Sequence, residues 1–280
     1  MLVPLALALF PVGHIFGAGA PEAMAMIQNK IASVDQLWQS VRREAETVLA
    51  SDPLFGASLS AAISDHPDLG SALAFQIGER LGKRADDREQ FARVAREAFH
   101  ASPELIEAAS LDLQSIAVHD PATRGLLPPL LNFKGYVALQ AWRVSNWLWR
   151  HERTDLALLL QSLSSDCLQV SIHPSASIGT SVFLDHATGI IVGAFAVIGD
   201  EVTIMQNVTI GRKQALPGRA PTIGRGVLLS TGATILGDVS VGDFARIGAG
   251  SVVEHDVPAG CTAVGVPARL VNCAEAGSPA

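Results

Sequence analysis

Asp185 and His186 stand side by side in Leu184-Asp185-His186-Ala187-Thr188-Gly189, the stretch whose residue types are best suited to moving a proton. An imidazole titrates near neutral pH, so His186 can take a proton from an attacking hydroxyl and return it to a leaving group. Asp185 is not automatically its partner, because neighbouring side chains in an extended segment point opposite ways. On these residues alone, a solvent-facing corner histidine with no role explains the motif as well. Nothing calls for a metal: the eight histidines are scattered, and Cys167, Cys261 and Cys273 lack ligand spacing. An odd, small cysteine count reads as three reduced thiols in a cytoplasmic protein.

The elements that must position this pair follow a six-residue period. Aliphatic residues recur at Ile223, Leu229, Ile235, Val241, Ile247 and Val253, with a small or β-branched residue two places before each of the last five. The same spacing runs through Ile172, Ile178, Leu184 and Ile190, then restarts two residues out of step at Val192, Ile198, Ile204 and Ile210. Period six fits neither one strand nor an α-helix. It fits a β-solenoid in which each short strand adds one residue to an inner stack and the chain turns a corner. After these aliphatics often comes glycine, as at Gly179, Gly199, Gly211, Gly224, Gly242 and Gly248; after Leu184, Asp-His takes that corner instead. Between Ile210 and Ile223 the spacing is thirteen, so Arg212 to Ala220 reads as a loop pushed out of a coil.

Upstream the pattern is helical. Helices are expected after Ser33 up to Asp52-Pro53, over 54–63, 69–81 and 86–100, and from Ser102-Pro103-Glu104 to about His119. Pro128-Pro129 marks a break, followed by a Trp-rich helix over 133–150 and a last one from Asp155 to about Gln169. Trp142, Trp147 and Trp149 are expected to pack rather than bind a ligand. The net charge of −7 without a basic block gives a nucleic-acid role no electrostatic support. Residues 1–20 are apolar but lack a cationic start, the first cation being Lys30, and Pro4, Pro11 and His14 spoil a membrane span. A dispensable extension with Met24 or Met26 as the working start is expected there.

Ile172-His173-Pro174, Leu184 to Ile190 and Gly265-Val266-Pro267-Ala268-Arg269, behind a helical half, resemble serine O-acetyltransferases of the hexapeptide-repeat acyltransferase family. Leu69 to Leu73, Asp120-Pro121-Ala122, Lys134-Gly135-Tyr136 and Ala138 to Ala141 carry the same resemblance, which spans roughly 34–270. It implies an α+β chain, a helical oligomerisation domain (27–170) followed by a left-handed parallel β-helix acyltransferase domain (171–270); the apolar extension (1–26) and a small, polar, flexible tail (271–280) flank them by composition. It also implies acetyl-CoA as co-substrate between coils of neighbouring subunits, L-serine as acceptor, a hexamer built as a dimer of trimers, and a place at the first step of cysteine synthesis.

By that resemblance His186 and Asp185 are the catalytic residues, His186 as general base of a direct transfer, and both bind the substrate with Asp120, the two carboxylates at its ammonium. Arg219 clamps its carboxylate, and Gly211, Gly232, Arg246 and Ala249 hold coenzyme A, Arg246 standing where the family has lysine. Read alone, Asp185 is a corner turn, Asp120 a helix end before proline, Arg219 a solvated charge, and the small residues ordinary coil packing. This chain departs from the family at Ser171, where an aspartate orients the histidine, and at Ala220, where a second active-site histidine stands. It departs also at Ala194, a family glutamate, and Arg212, a family glycine. These changes gather around the acceptor pocket, so transfer to another hydroxylated acceptor, or a catalytically weak scaffold or regulatory homologue, are the rival expectations. The chain ends without the isoleucine with which the family docks into cysteine synthase, which puts that complex in doubt.

Overall fold

The computed structural model describes residues 33–213 and 219–273, so the expected extension and most of the expected tail lie outside it. Eight α-helices come first among the described residues: α1 (Val34–Ser51), α2 (Gly56–Leu59), α3 (Leu69–Leu81), α4 (Ala85–Ala101), α5 (Glu104–His119), α6 (Leu127–Asn132), α7 (Lys134–Arg150) and α8 (Thr154–Leu168). Local chemistry sets their ends. The Asp68 carboxylate accepts the Ser71 N–H at 2.7 Å and caps α3, and Gln169 closes α8 in a left-handed conformation (φ 59°).

Two helical expectations need correction. The span 54–63 is not one amphipathic helix: a 3-10 turn (Pro53–Phe55), α2 and a π turn (Ser60–Ser64) follow one another. Leu54 is 97% exposed there, so the apolar residues that suggested a face do not share one. Pro128-Pro129 does not break structure either. Both prolines lie at the start of α6, where an N–H is not needed. The Glu44 carboxylate of α1 reaches across to accept the Leu126 and Leu127 N–H groups at 2.9 and 2.8 Å.

The chain then winds into coils of three short strands. One sheet stacks β1 (Val170–Ile172), β4 (Ile190–Val192), β7 (Thr209–Gly211), β10 (Thr234–Leu236) and β13 (Val252–Val253). A second stacks β2 (Ser177–Ile178), β5 (Val197–Ile198), β8 (Thr222–Ile223) and β11 (Ser240–Val241). The third stacks β3 (Phe183–Leu184), β6 (Thr203–Ile204), β9 (Leu228–Leu229), β12 (Arg246–Ile247), β14 (Thr262–Gly265) and β15 (Ala268–Val271). All pairings are parallel except β14 with β15. Register places the six-residue aliphatics in three inner rows, for example Ile172, Val192, Ile210, Ile235 and Val253. Those five are 3% exposed or less, and at roughly 0.8 kcal/mol per buried CH₂ the stacked rows are the main cohesive term of the coils. The corners need a left-handed residue, supplied at Phe195, Glu201, Asn207, Gly232, Phe244 and Gly250.

The reduced-thiol expectation fails for two of three cysteines. Cys261 and Cys273 are disulfide-bonded with Cα atoms 4.2 Å apart, because the β14–β15 hairpin folds Cys273 back beside Cys261. Cys167 is free and exposed.

Candidate active site

The step of eight from Leu184 to Val192, against six along the regular runs, is absorbed in the corner between β3 and β4, which is two residues longer and carries Asp185-His186. His186, Ala187 and Gly189 all take positive φ (53°, 60° and 77°), an arrangement that costs energy for the two side-chain-bearing residues. The corner is held by Asp185 N–H to Ile204 O (2.8 Å), Gly189 N–H to Gln169 O (2.8 Å) and Asn207 N–H to Thr188 O (2.8 Å). A Cβ on Gly135 would collide with Leu184 O and Ala187, so only glycine lets α7 lie this close beneath the corner.

The His186 side chain is 71% exposed, with Nε2 3.7 Å from Asp185 Oδ1, beyond hydrogen-bond range. Burial raises the Asp185 carboxyl above the usual carboxylate range; the His186 ring pulls it back, Asp120's charge pushes it up, and a bond from the His186 backbone N–H lowers it. The structure thus brings Asp120, Asp185 and His186 together. Asp120 reaches this point as the residue closing α5, its carboxylate accepting the Ala122 N–H at 2.8 Å. Ser171 takes no part in holding His186: its hydroxyl accepts a bond from Gln161 Nε2 at 3.3 Å.

The same edge of the coil stack continues from Thr188 to Gln206-Asn207, Thr231-Gly232 and Ala249-Gly250, one step per coil, through Asn207 N–H to Thr188 O, Gly232 N–H to Gln206 O and Gly250 N–H to Thr231 O. Coils lie about 4.8 Å apart, so Gly232 and Ala249 stand roughly 10 and 14 Å along the edge from the His186 corner. A Cβ at Gly232 would meet only Gly250 backbone, at 3.9 Å, and one at Gly250 would meet nothing within 4 Å. That strip of bare backbone is open to a long, thin ligand arm. Arg246 is exposed on β12, just before the Ala249 corner.

Gly211 and Arg219 do not join this cluster. They flank the loop at the next edge, across the first sheet, and residues 214–218 of that loop lie outside the described residues. Arg219 is exposed, and Arg212 stacks over the Phe195 ring at 5.5 Å. Ala194 and Ala220 sit at this same edge.

Known proteins resemble this chain in sequence and in fold. The family profile described as "Serine acetyltransferase, N-terminal" matches residues 37–141, and that described as "Bacterial transferase hexapeptide (six repeats)" matches residues 220–255. Serine acetyltransferase of Escherichia coli (strain K12) is 42% identical over 244 residues, covering 87% of this chain and 89% of the relative. The chain belongs to the serine acetyltransferase family. The structure of serine acetyltransferase from Brucella abortus strain S19 in complex with coenzyme A superposes with a TM-score of 0.81 at 41% identity, covering 86% of this chain and 98% of that one. Soybean serine acetyltransferase complexed with serine gives a TM-score of 0.81 at 42% identity, covering 84% and 97%. The coils of this family member therefore form a left-handed parallel β-helix of hexapeptide repeats.

Sequence reasoning missed Lys134, Gly135 and Gln169, which hold this corner from below, and Gln140 and Arg143, which hold Asp112 beneath the preceding corner of the same coil. Their signal was a lysine, a glutamine and an arginine on the otherwise apolar face of α7, which is buried from Gly135 to Ser145.

Proposed function

We propose that this protein transfers the acetyl group of acetyl-CoA to the hydroxyl of L-serine, with His186 as general base. The observation that carries this reading is the lengthened corner that presents His186 beside Asp185 and Asp120 at the head of an open glycine strip. The serine hydroxyl oxygen attacks the thioester carbonyl carbon while His186 takes its proton. The tetrahedral oxyanion then collapses, the carbon–sulfur bond breaks, and the imidazolium returns the proton to the thiolate. O-acetylserine and coenzyme A leave, without a covalent enzyme intermediate. Asp185 and Asp120 receive the substrate ammonium, and Gly232, Ala249 and Arg246 line the path of coenzyme A, with the arginine facing a phosphate.

Gly211 and Arg219 lie on a different edge from His186, which favours a trimer in which one subunit's loop completes its neighbour's site. Pairing of two trimers through the helical half, a cytoplasmic location and a role in cysteine synthesis belong to the same proposal. Among the described residues no helix is long and apolar enough to cross a membrane.

A second reading, transfer to a different hydroxylated acceptor, is favoured by Ser171 being engaged by Gln161, so that no carboxylate stands behind the histidine. One assay separates the two: thiol release from acetyl-CoA with L-serine and with a panel of hydroxy amino acids, beside His186→Ala. Transfer to serine that falls by orders of magnitude in His186→Ala supports the first reading. Transfer that survives unchanged in that variant sinks the mechanism, and absence of transfer to any acceptor favours a scaffold.

A further inference from the structure

From the second coil onward, each coil rests on the one before it, and its corner N–H groups donate to carbonyls of the preceding coil, as Gly226 does to Asp200 and Phe244 to Arg225. The first coil has no predecessor. Helices α5 and α7 fill that place. At its first corner Trp142 Nε1 donates to His173 O at 3.2 Å and Asn146 Nδ2 to Pro174 O at 2.7 Å. At its second, Arg143 donates to Gly179 O at 2.9 Å and Ser115 to Ser181 O at 2.9 Å. At its third, the corner bearing His186, the Lys134 ammonium bridges Thr188 Oγ1 at 2.5 Å and Gln169 Oε1 at 3.0 Å. Gln169 in turn supplies the carbonyl that takes the Gly189 N–H.

We propose that Lys134 is a positioning residue for His186. The third corner is the longest of the first coil and the one with consecutive left-handed side-chain-bearing residues, a conformation that costs energy and persists only where the surroundings hold it. Backbone bonds tie the corner at Asp185, Thr188 and Gly189, and the side-chain tie comes from Lys134, which holds the Thr188 hydroxyl two residues after His186. Gly135 seats α7 against Leu184 and Ala187, which brings Lys134 within reach. Lys134 never touches substrate. Its ammonium selects the corner conformation in which the imidazole is exposed beside Asp185.

The proposal rests on His186 being the general base. Lys134→Met keeps the stem and removes the three donors, and Lys134→Arg keeps a cation. Lys134→Met is expected to lower kcat for acetyl transfer about 10- to 100-fold, the scale of an ångström of misplacement, while KM for acetyl-CoA stays within about 2-fold. Lys134→Arg restores most of kcat, and Thr188→Val combined with Lys134→Met is no slower than the slower single variant. Amide hydrogen exchange at Ala187 and Gly189 rises at least 10-fold in Lys134→Met, a readout that needs no activity. Unchanged kcat, losses that multiply in the double variant, or unchanged exchange overturns the brace. A wild-type protein that transfers to no acceptor, with faster exchange in Lys134→Met, overturns the catalytic reading and leaves the brace standing.

Discussion

Arg143→Met is expected to destabilise the protein by about 3–5 kcal/mol, because it strands a carboxylate where no water can reach. Asp112 is fully buried, and its Oδ2 accepts Arg143 Nη2 at 2.7 Å, Arg143 Nε at 3.2 Å and Gln140 Nε2 at 3.0 Å, while Oδ1 accepts the Val182 N–H at 3.0 Å. Burial pushes the Asp112 carboxyl up, and Arg143 is the first of the groups pulling it back. Removing the guanidinium leaves two of the four bonds and also frees the Gly179 carbonyl. For a unit of this size each kcal/mol moves Tm by about 2–4 °C, so the expected drop is roughly 6–20 °C. Adding Asp112→Leu removes the stranded charge, and the double variant should regain more than half of the loss. Urea unfolding at constant m-value, with the midpoint shift read as stability, measures both. A drop below about 1 kcal/mol in Arg143→Met, or a double variant worse than the single, would show that the pair is solvated and does not clamp the first coil.

Three further outcomes are expected. Ser171→Asp places a carboxylate where the family has one and should raise kcat with serine by about 10-fold or more; an unchanged or lower kcat, by acetyl-CoA thiol release, means that charge does not limit turnover. The Asp185 carboxyl is raised, so its charge is lost as pH falls through a value above the ordinary carboxylate range of about 3.9, and KM for serine should climb on that limb. Asp185→Asn should raise KM at neutral pH and flatten the climb; in stability, the raised carboxyl favours the fold below the ordinary range and that contribution fades as pH rises through the folded-state value. Finally, the exposed strand β15 buries little, with Leu270 at 47% and Val271 at 38% exposure, so the Cys261–Cys273 bond holds it. Reduction, or Cys273→Ser, gives up about 3 kcal/mol of loop closure and should speed tryptic cleavage after Arg269 roughly 100-fold; equal rates refute this.

Much of the coil half was legible because a solenoid repeats one local solution. The inner rows and the two-residue slip between Ile190 and Val192 each correspond to a physical event, a row and a longer corner, and the thirteen-residue gap before Ile223 falls between β7 and β8. The slip even marks the place of His186. The helix ends at Ser51, Leu81 and His119 were readable from their caps and prolines. What stayed hidden is long-range. Asp112 and Arg143 are 31 residues apart, and either charge alone passes for a helix surface residue. The Cys261–Cys273 link depends on an antiparallel return that breaks the repeat, and Gln161 reaching Ser171 depends on how α8 enters β1. Gathering Asp120 with Asp185 took the resemblance, because no periodicity links a helix end to a coil corner 65 residues later.

The helical seal over the first coil also bears on assembly into fibres. A parallel coil stack with two open ends can add copies head to tail without limit, as exposed strand edges do. Here α5 and α7 occupy one end, their side chains donating to the carbonyls of Gly179 and Ser181 beside the buried Asp112–Arg143 pair. Head-to-tail growth needs both ends, so one sealed end is enough to stop it.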